Sequence, residues 1–358
     1  MNDWNGDDNL LPYDPTDVDI RQHTLALSEV ITMIEIHDIE LWLEESYQRR
    51  SKAWSIKQKS RLVESIIMRI PLPIFYFDGS EIPWKVIDGL HRLTTLFSYI
   101  FLEDWELREL EFLTEFEGRR FSELPFKYQR AIRQSTIEAY VINPGTPNHV
   151  KLNIFQRINT GGSLLTRQEI RNSYYSGVGA DFINYLSNST EFLNATNGKI
   201  SRNRMKDKEA ILRFIAFYKF LSDYSTPLEK FLDRTMENLS DPSNDLIEIK
   251  NRFFDSMSLC EEIFGEKAFY IIDRKYNKVG TNLNIALFET WSVNLAKLSP
   301  VEIKIIRTKK SKVLARFVRL LQDIDFHKSI SNSTSSRKAV KTRFAYIETL
   351  LKKLIDAN

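Results

Sequence analysis

The 358-residue chain is predicted to be α+β, with a small sheet-bearing domain followed by a larger all-helical region. Three observations predict this. Short β-branched or aromatic runs bounded by turn residues fall before residue 150: "IFYF" (74–77), "WKVID" (84–88) and "TIEAYVIN" (136–143). Long segments with apolar residues at helical spacing dominate after it, among them 206–224, 246–265 and 337–357. The composition, 42% hydrophobic and 27% charged, is that of a globular chain, long enough to build a sizeable core.

Residues 1–24 read as an acidic arm, 25–150 as the first domain and 151–358 as the helical domain. Residues 27–36 carry β-branched content, yet Leu27, Val30 and Ile31 equally suit the start of a helix. Residues 54–70 are an amphipathic helix with Ile56, Leu62, Ile66, Ile67 and Ile70 on one broad face, stopped by Pro71 and Pro73. Two strands around "DGSEIP" make a hairpin over 74–88. "NHVKLNIFQRIN" and "LTRQEIRNSYYSG" read as helices separated by "TGGS". The aromatic residues Phe214, Phe217, Tyr218 and Phe220 share helical spacing and belong to a core.

Several function classes are excluded. One cysteine, Cys260, leaves neither an intramolecular disulfide nor a multi-cysteine zinc site. No apolar run is long enough to span a bilayer, and the acidic start lacks the order of a signal peptide, so a cytoplasmic location without membrane contact is expected. The net charge of +2 restricts any nucleic-acid surface to local clusters. Two stand out, Lys309, Lys310 and Lys312, and Arg337, Lys338, Lys341 and Arg343, as candidates for DNA phosphates, although a charge run on a helix is more often a solvated face.

The stretch "KVIDGLHRLTTLFSYIF" (85–101) carries the chemistry. A strand ends in Asp88-Gly89 and a helix starts with His91-Arg92. Strand, tight turn and helix present free backbone N–H groups to an anion. Gly89 permits a close backbone approach, Arg92 offers a fork of donors, His91 titrates near neutral pH, and Thr94 and Thr95 add hydroxyls. Asp88 is placed to hold a metal ion or to orient a water as general base. Asp88, His91 and Arg92 are thus the catalytic candidates. The same pattern also suits a plain capped helix start, with Arg92 paired to a carboxylate. In "IFQRINTGGSLLTRQEIR" (154–171), Arg157, Asn159, Gly161 and Gly162 adjoin Glu169 and Arg171 around a turn able to approach a ligand.

Together "YQRRSKAW" (47–54), "VIDGLHRLTTL" (86–96) and "IFQRINTGGSLLTRQEIR" (154–171) resemble the DUF262 family, the N-terminal domain of GmrSD-type modification-dependent restriction endonucleases. The resemblance covers most of the chain from about residue 27. It implies a ParB/sulfiredoxin-like mixed sheet, an NTP with Mg²⁺ as cofactor, and a role in restriction and anti-phage defence. Carried over, Gln48 and Arg49, then Gly89 and Arg92, then Arg157, Asn159, Gly161, Gly162 and Arg171 bind nucleotide phosphates, with Asp88 as catalytic residue. The family's two glutamines are here Leu90 and His91, which puts hydrolysis in doubt more than binding. The five histidines are scattered, so no HNH nuclease core is legible, and a nuclease activity would sit on a partner subunit or in the ParB-like domain itself. Three functions follow: an NTPase linked to DNA restriction, a non-catalytic nucleotide- or DNA-binding switch that recruits a nuclease, or metal-dependent nicking with Asp88 and Glu64 or Glu169 as ligands.

Overall fold

A computed structural model describes residues 14–41, 54–158, 166–175, 177–225, 227–239, 241 and 245–357. The chain divides into two compact units, Met1–Leu164 and Leu165–Asn358. The architecture is α+β.

The first unit is built on a five-stranded mixed sheet in the order β1-β5-β3-β4-β2. β1 (Ile20–Ala26) leads directly into α1 (Leu27–Glu35), and β2 (Ile39–Glu40) follows. After the amphipathic α2 (Ile56–Ile67) come β3 (Phe75–Asp78), β4 (Trp84–Asp88) and α3 (Leu90–Phe97), which Ser98–Leu102 continue as a π-type turn. α4 (Phe126–Gln134), β5 (Thr136–Ile142) and α5 (Asn148–Ile158) complete the described part of the unit. β3 and β4 form the expected antiparallel hairpin, while β3 runs parallel to β5 and β2 parallel to β4.

Two observations differ from the sequence expectation. Residues Ile20–Thr24, counted with the acidic arm, form most of β1, which pairs with β5 from Ile20↔Ile142 to Ala26↔Thr136. Its side chains Arg21, Gln22, His23 and Thr24 show no apolar alternation. Instead Glu138 of β5 accepts hydrogen bonds from Thr24 (2.9 Å) and Gln22 (3.1 Å) across the strand pair. Residues 27–35, open between strand and helix, are helical. Leu27, Val30, Ile31 and Ile34 then fall on one buried face.

β5 alternates, with Ile137, Ala139 and Val141 turned inward. They meet Val30 and Ile34 of α1, Phe75 and Phe77 of β3, Val86 of β4 and Leu93 of α3 in one core. A second core lies among Leu62, Val63 and Ile66 of α2, Leu96 of α3, Tyr99, Phe116, Phe121 and Ile132. α5 packs against β4. Lys151 of α5, nearly buried, donates to Ser80 (2.6 Å) and pairs with the buried Asp78 at 3.5 Å. This ties α5 to the β3–β4 turn and extends the sheet unit beyond residue 150.

The second unit is helical: α6 (Arg167–Tyr174), α7 (Val178–Ser187), α8 (Thr190–Thr196), α9 (Lys206–Phe220), α10 (Leu228–Leu239), α11 (Leu246–Phe264), α12 (Ile285–Ala296), α13 (Pro300–Thr308), α14 (Lys310–Leu320), α15 (Ile324–Ser331) and α16 (Arg337–Ile355). Its core gathers Phe214, Phe217, Phe253, Phe288, Trp291 and Phe317, all essentially inaccessible. Glu289 in this core accepts from Arg213 (2.7 Å) and from Arg343. Cys260 is fully buried on α11, and burial pushes its thiol pKa far up. Among the described residues no helix is long and apolar enough to cross a membrane.

Candidate functional site

The site is the turn between β4 and α3. Gly89 is the N-cap of α3 and sits in the left-handed region at φ 100°. A Cβ there would lie 2.4 Å from the Phe75 ring, so both the backbone angle and the packing require glycine. The first intrahelical bond runs from Leu93 N–H to Gly89 C=O. The N–H groups of the first turn, Leu90, His91 and Arg92, therefore have no partner within the helix and carry the positive end of its dipole.

Around this turn the side chains fall into distinct roles. Arg92 is nearly buried and lies over the Phe75 ring, 4.2 Å from its centroid. Its guanidinium donates to Pro73 C=O, to Ile74 C=O at 3.2 Å and to Asp88 Oδ2 at 2.7 Å. It fastens the segment entering β3 to the turn leaving β4. This corrects the expectation of an open phosphate grip: the fork is occupied within the fold. Burial moves the Arg92 pKa down against the opposing pull of Asp88. Asp88 remains about one-third exposed (36% of its side chain) on the other side of this pair.

His91 is half-buried and stacks on Trp54, with ring centroids 6.1 Å apart and planes 18° apart. Burial lowers its pKa. Its C=O accepts from the Thr95 hydroxyl at 2.7 Å, whereas Thr94 is half-buried beside it. Arg157, in the last turn of α5, is exposed.

Other expected members are placed elsewhere. Gln48, Arg49, Asn159, Gly161 and Gly162 lie outside the described residues. Arg171 is fully buried in the second unit, where Asp233 (2.7 Å), Glu229, Gln168 (3.3 Å) and the Glu229 C=O take up its donors. It is a fully buried core cation holding α6 to α10, out of reach of a surface ligand. Glu169 closes the capping box of α6 with Thr166 and pairs with Arg204 at 3.3 Å. Glu64, offered as a metal ligand with Asp88, is almost wholly buried and accepts N–H groups from Glu111, Phe112 and Leu113 at 2.7–3.2 Å. Burial pushes its pKa up, but the three backbone donors and Arg61 outweigh that and hold it below the usual value. Among the described residues no group of three or more His, Cys, Asp or Glu side chains is placed to hold a metal ion.

The basic clusters are also resolved. Arg343 is buried against Glu289 and the Thr334 C=O (2.5 Å), and Lys309 caps the end of α16 through the carbonyls of Leu354 and Ala357, both at 2.8 Å. Both leave the DNA-facing set for that reason. Lys310, Lys312, Arg337, Lys338 and Lys341 are exposed.

Sequence reasoning missed three participants, Trp54, Pro73 and Ile74. Trp54 was read only as part of a motif, and nothing in the spacing announces its stack on His91. Pro73 and Ile74 were read as a helix stop and a strand start, while their carbonyls are what fix Arg92. The Pro-x-Pro run, which keeps 71–74 extended and its carbonyls free of a helix, was the available signal.

No curated protein and no solved structure gives a significant match to the chain. Residues 27–176 match the family described as GmrSD restriction endonuclease, N-terminal domain. That span contains four of the five strands, β2 to β5, the Asp88–Arg92 turn and the helix bearing Glu169 and Arg171. Over residues 27–176 the chain is therefore similar to the N-terminal domain of GmrSD restriction endonucleases, which supports the resemblance carried by its motifs.

Proposed function

We propose that the β4–α3 turn binds the phosphates of a nucleoside triphosphate, and that this binding serves DNA restriction. The observation that carries the reading is Gly89: its left-handed geometry brings the strand directly onto an open helix N-terminus. In this reading the backbone N–H groups of the first turn, with His91, Thr94 and the exposed Arg157, meet the phosphates, and Arg92 holds the turn in shape. Asp88 orients a water at the mouth of the turn. Mg²⁺ enters as the counter-ion of the nucleotide, since the described side chains supply no metal-ligand cluster of their own.

One observation favours a second reading, binding without turnover. The Asp88 carboxylate is already engaged by Arg92 through Oδ2 at 2.7 Å, which leaves it less free to orient a water. The domain would then act as a nucleotide-dependent switch for a separate nuclease subunit. The exposed Lys310, Lys312, Arg337, Lys338 and Lys341 offer a surface for DNA phosphates in either case. Direct nicking has no supporting observation among the described residues.

Isothermal calorimetry with ATP, GTP and CTP in Mg²⁺ tests the binding. One nucleotide is expected to bind, and Arg157→Ala to weaken it about tenfold, or about 1.4 kcal/mol. Phosphate release then separates enzyme from switch. If none of the three binds, the turn is a capped helix start and the proposal fails.

A further inference from the structure

We infer that Trp54 is a positioning residue for His91, holding the imidazole uncharged at the first turn of α3 so that it offers an acceptor nitrogen to a water or ligand there. The inference rests on the nucleotide-site reading for its chemistry but not for its test.

Three features converge on His91. It is the second residue of α3, where the helix dipole disfavours a cation. It is half-buried, so an imidazolium would lose part of its hydration. Its ring lies nearly parallel to the Trp54 indole (18°), and Trp54 is itself partly buried against the core that includes Leu62 and Leu96 of α2 and α3. That packing fixes the indole, and the stack in turn fixes the imidazole plane. A face-on indole attracts cations, so the stack alone would favour protonation. The helix end opposes it, and burial lowers the His91 pKa.

No neighbouring carboxylate reverses the balance among the described residues. At the end of β4, Asp88 is paired to Arg92 of α3. On α2, which packs against α3, Lys57 pairs with Glu109 (4.0 Å) and Arg61 with Glu111 (2.7 Å), Glu64 takes the backbone donors of 111–113, and Lys59 lies over the Trp105 ring. On α1, Glu29 and Glu35 are exposed. A neutral imidazole with one protonated and one free nitrogen can donate to one partner and accept from another. That is the pair of bonds needed to orient a water, and it complements an Asp88 already engaged by Arg92.

The test is an NMR titration of the imidazole Cε1–Hε1 signals of the full chain without nucleotide, with His91 assigned by the signal lost in His91→Asn. His91 is expected to titrate below the ordinary value of about 6.5. Trp54→Ala should move its midpoint up by at least half a pH unit, as water reaches the ring, and Trp54→Phe should keep it low. The signals of His23, His37, His149 and His327 report whether each variant is folded. Should Trp54→Ala fail to fold, Trp54→Leu, which keeps apolar bulk without a ring, takes its place. A wild-type midpoint at or above the ordinary value, or one unmoved in the folded ring-less variant, overturns the inference. Because no nucleotide is present, this result is independent of the calorimetry above. Where turnover is measurable, its acid limb should follow the His91 midpoint and disappear in His91→Gln, whose amide donates and accepts without titrating.

Discussion

Gly89 carries two demands at one residue, a positive φ and the absence of a Cβ against Phe75. Gly89→Ala is expected to lose about 2–3 kcal/mol of stability, because strain and a clash add at a site packed on both sides. Thermal unfolding measures it, and an unchanged melting temperature would contradict the described turn. Glu64 makes a separate prediction with a pH signature. Its folded pKa is lowered, so the stability it contributes is present above the unfolded value near 4.3 and is lost as pH falls through the folded one. Glu64→Gln should cost about 1–2 kcal/mol at pH 7, because neutral hydrogen bonds to the loop N–H groups replace charge-assisted ones. The difference from wild type should shrink below about pH 4, which denaturant unfolding across pH can follow.

At the scale of elements, the sheet and the helical half were legible because their periodicity was clean. β3, β4, β5, α2, α9, α11 and α16 lie where the runs of apolar residues place them. β1 was not legible. An edge strand that meets its neighbour through Glu138, Thr24 and Gln22 needs no apolar face, so the usual alternation is missing. The site was legible as a turn but not as a set of roles. Asp88-Gly89-x-x-Arg92 announces a strand-to-helix junction, yet whether Arg92 points outward or clamps inward depends on the carbonyls of Pro73 and Ile74, fifteen or more residues away. Arg171 and Arg343 failed for a related reason: arginine composition shows charge, whereas burial is set by partners such as Asp233 and Glu289 distant in sequence. The contact between α5 and the β3–β4 turn belongs to this scale as well. Lys151→Met should cost about 3 kcal/mol, since it leaves the buried Asp78 carboxylate without its cation. Asp78→Asn together with Lys151→Met should recover part of that loss, a double-mutant cycle readable by chemical denaturation.

For the whole molecule, the distinction between buried and exposed basic residues separates stability from binding. Arg343→Ala should destabilise by about 3 kcal/mol, because the buried Glu289 keeps Arg213 but loses the second cation that shares its charge. The paired reversal Lys338→Glu and Lys341→Glu should leave the melting temperature nearly unchanged. If the second unit contacts DNA, the same reversal should weaken duplex binding and flatten its salt dependence. Fluorescence anisotropy over a salt series decides between the outcomes, and an unchanged slope would remove this surface from consideration.

The complete burial of Cys260 also makes it a clock. A thiol sealed in α11 reacts with a soluble disulfide reagent only while that helix is open, and the chain has no other cysteine to confuse the signal. The rate of labelling in native buffer therefore counts the openings of the helical unit alone. Adding nucleotide during the same measurement would reveal whether an event at the sheet domain is felt there at all, without tag, dye or engineered residue.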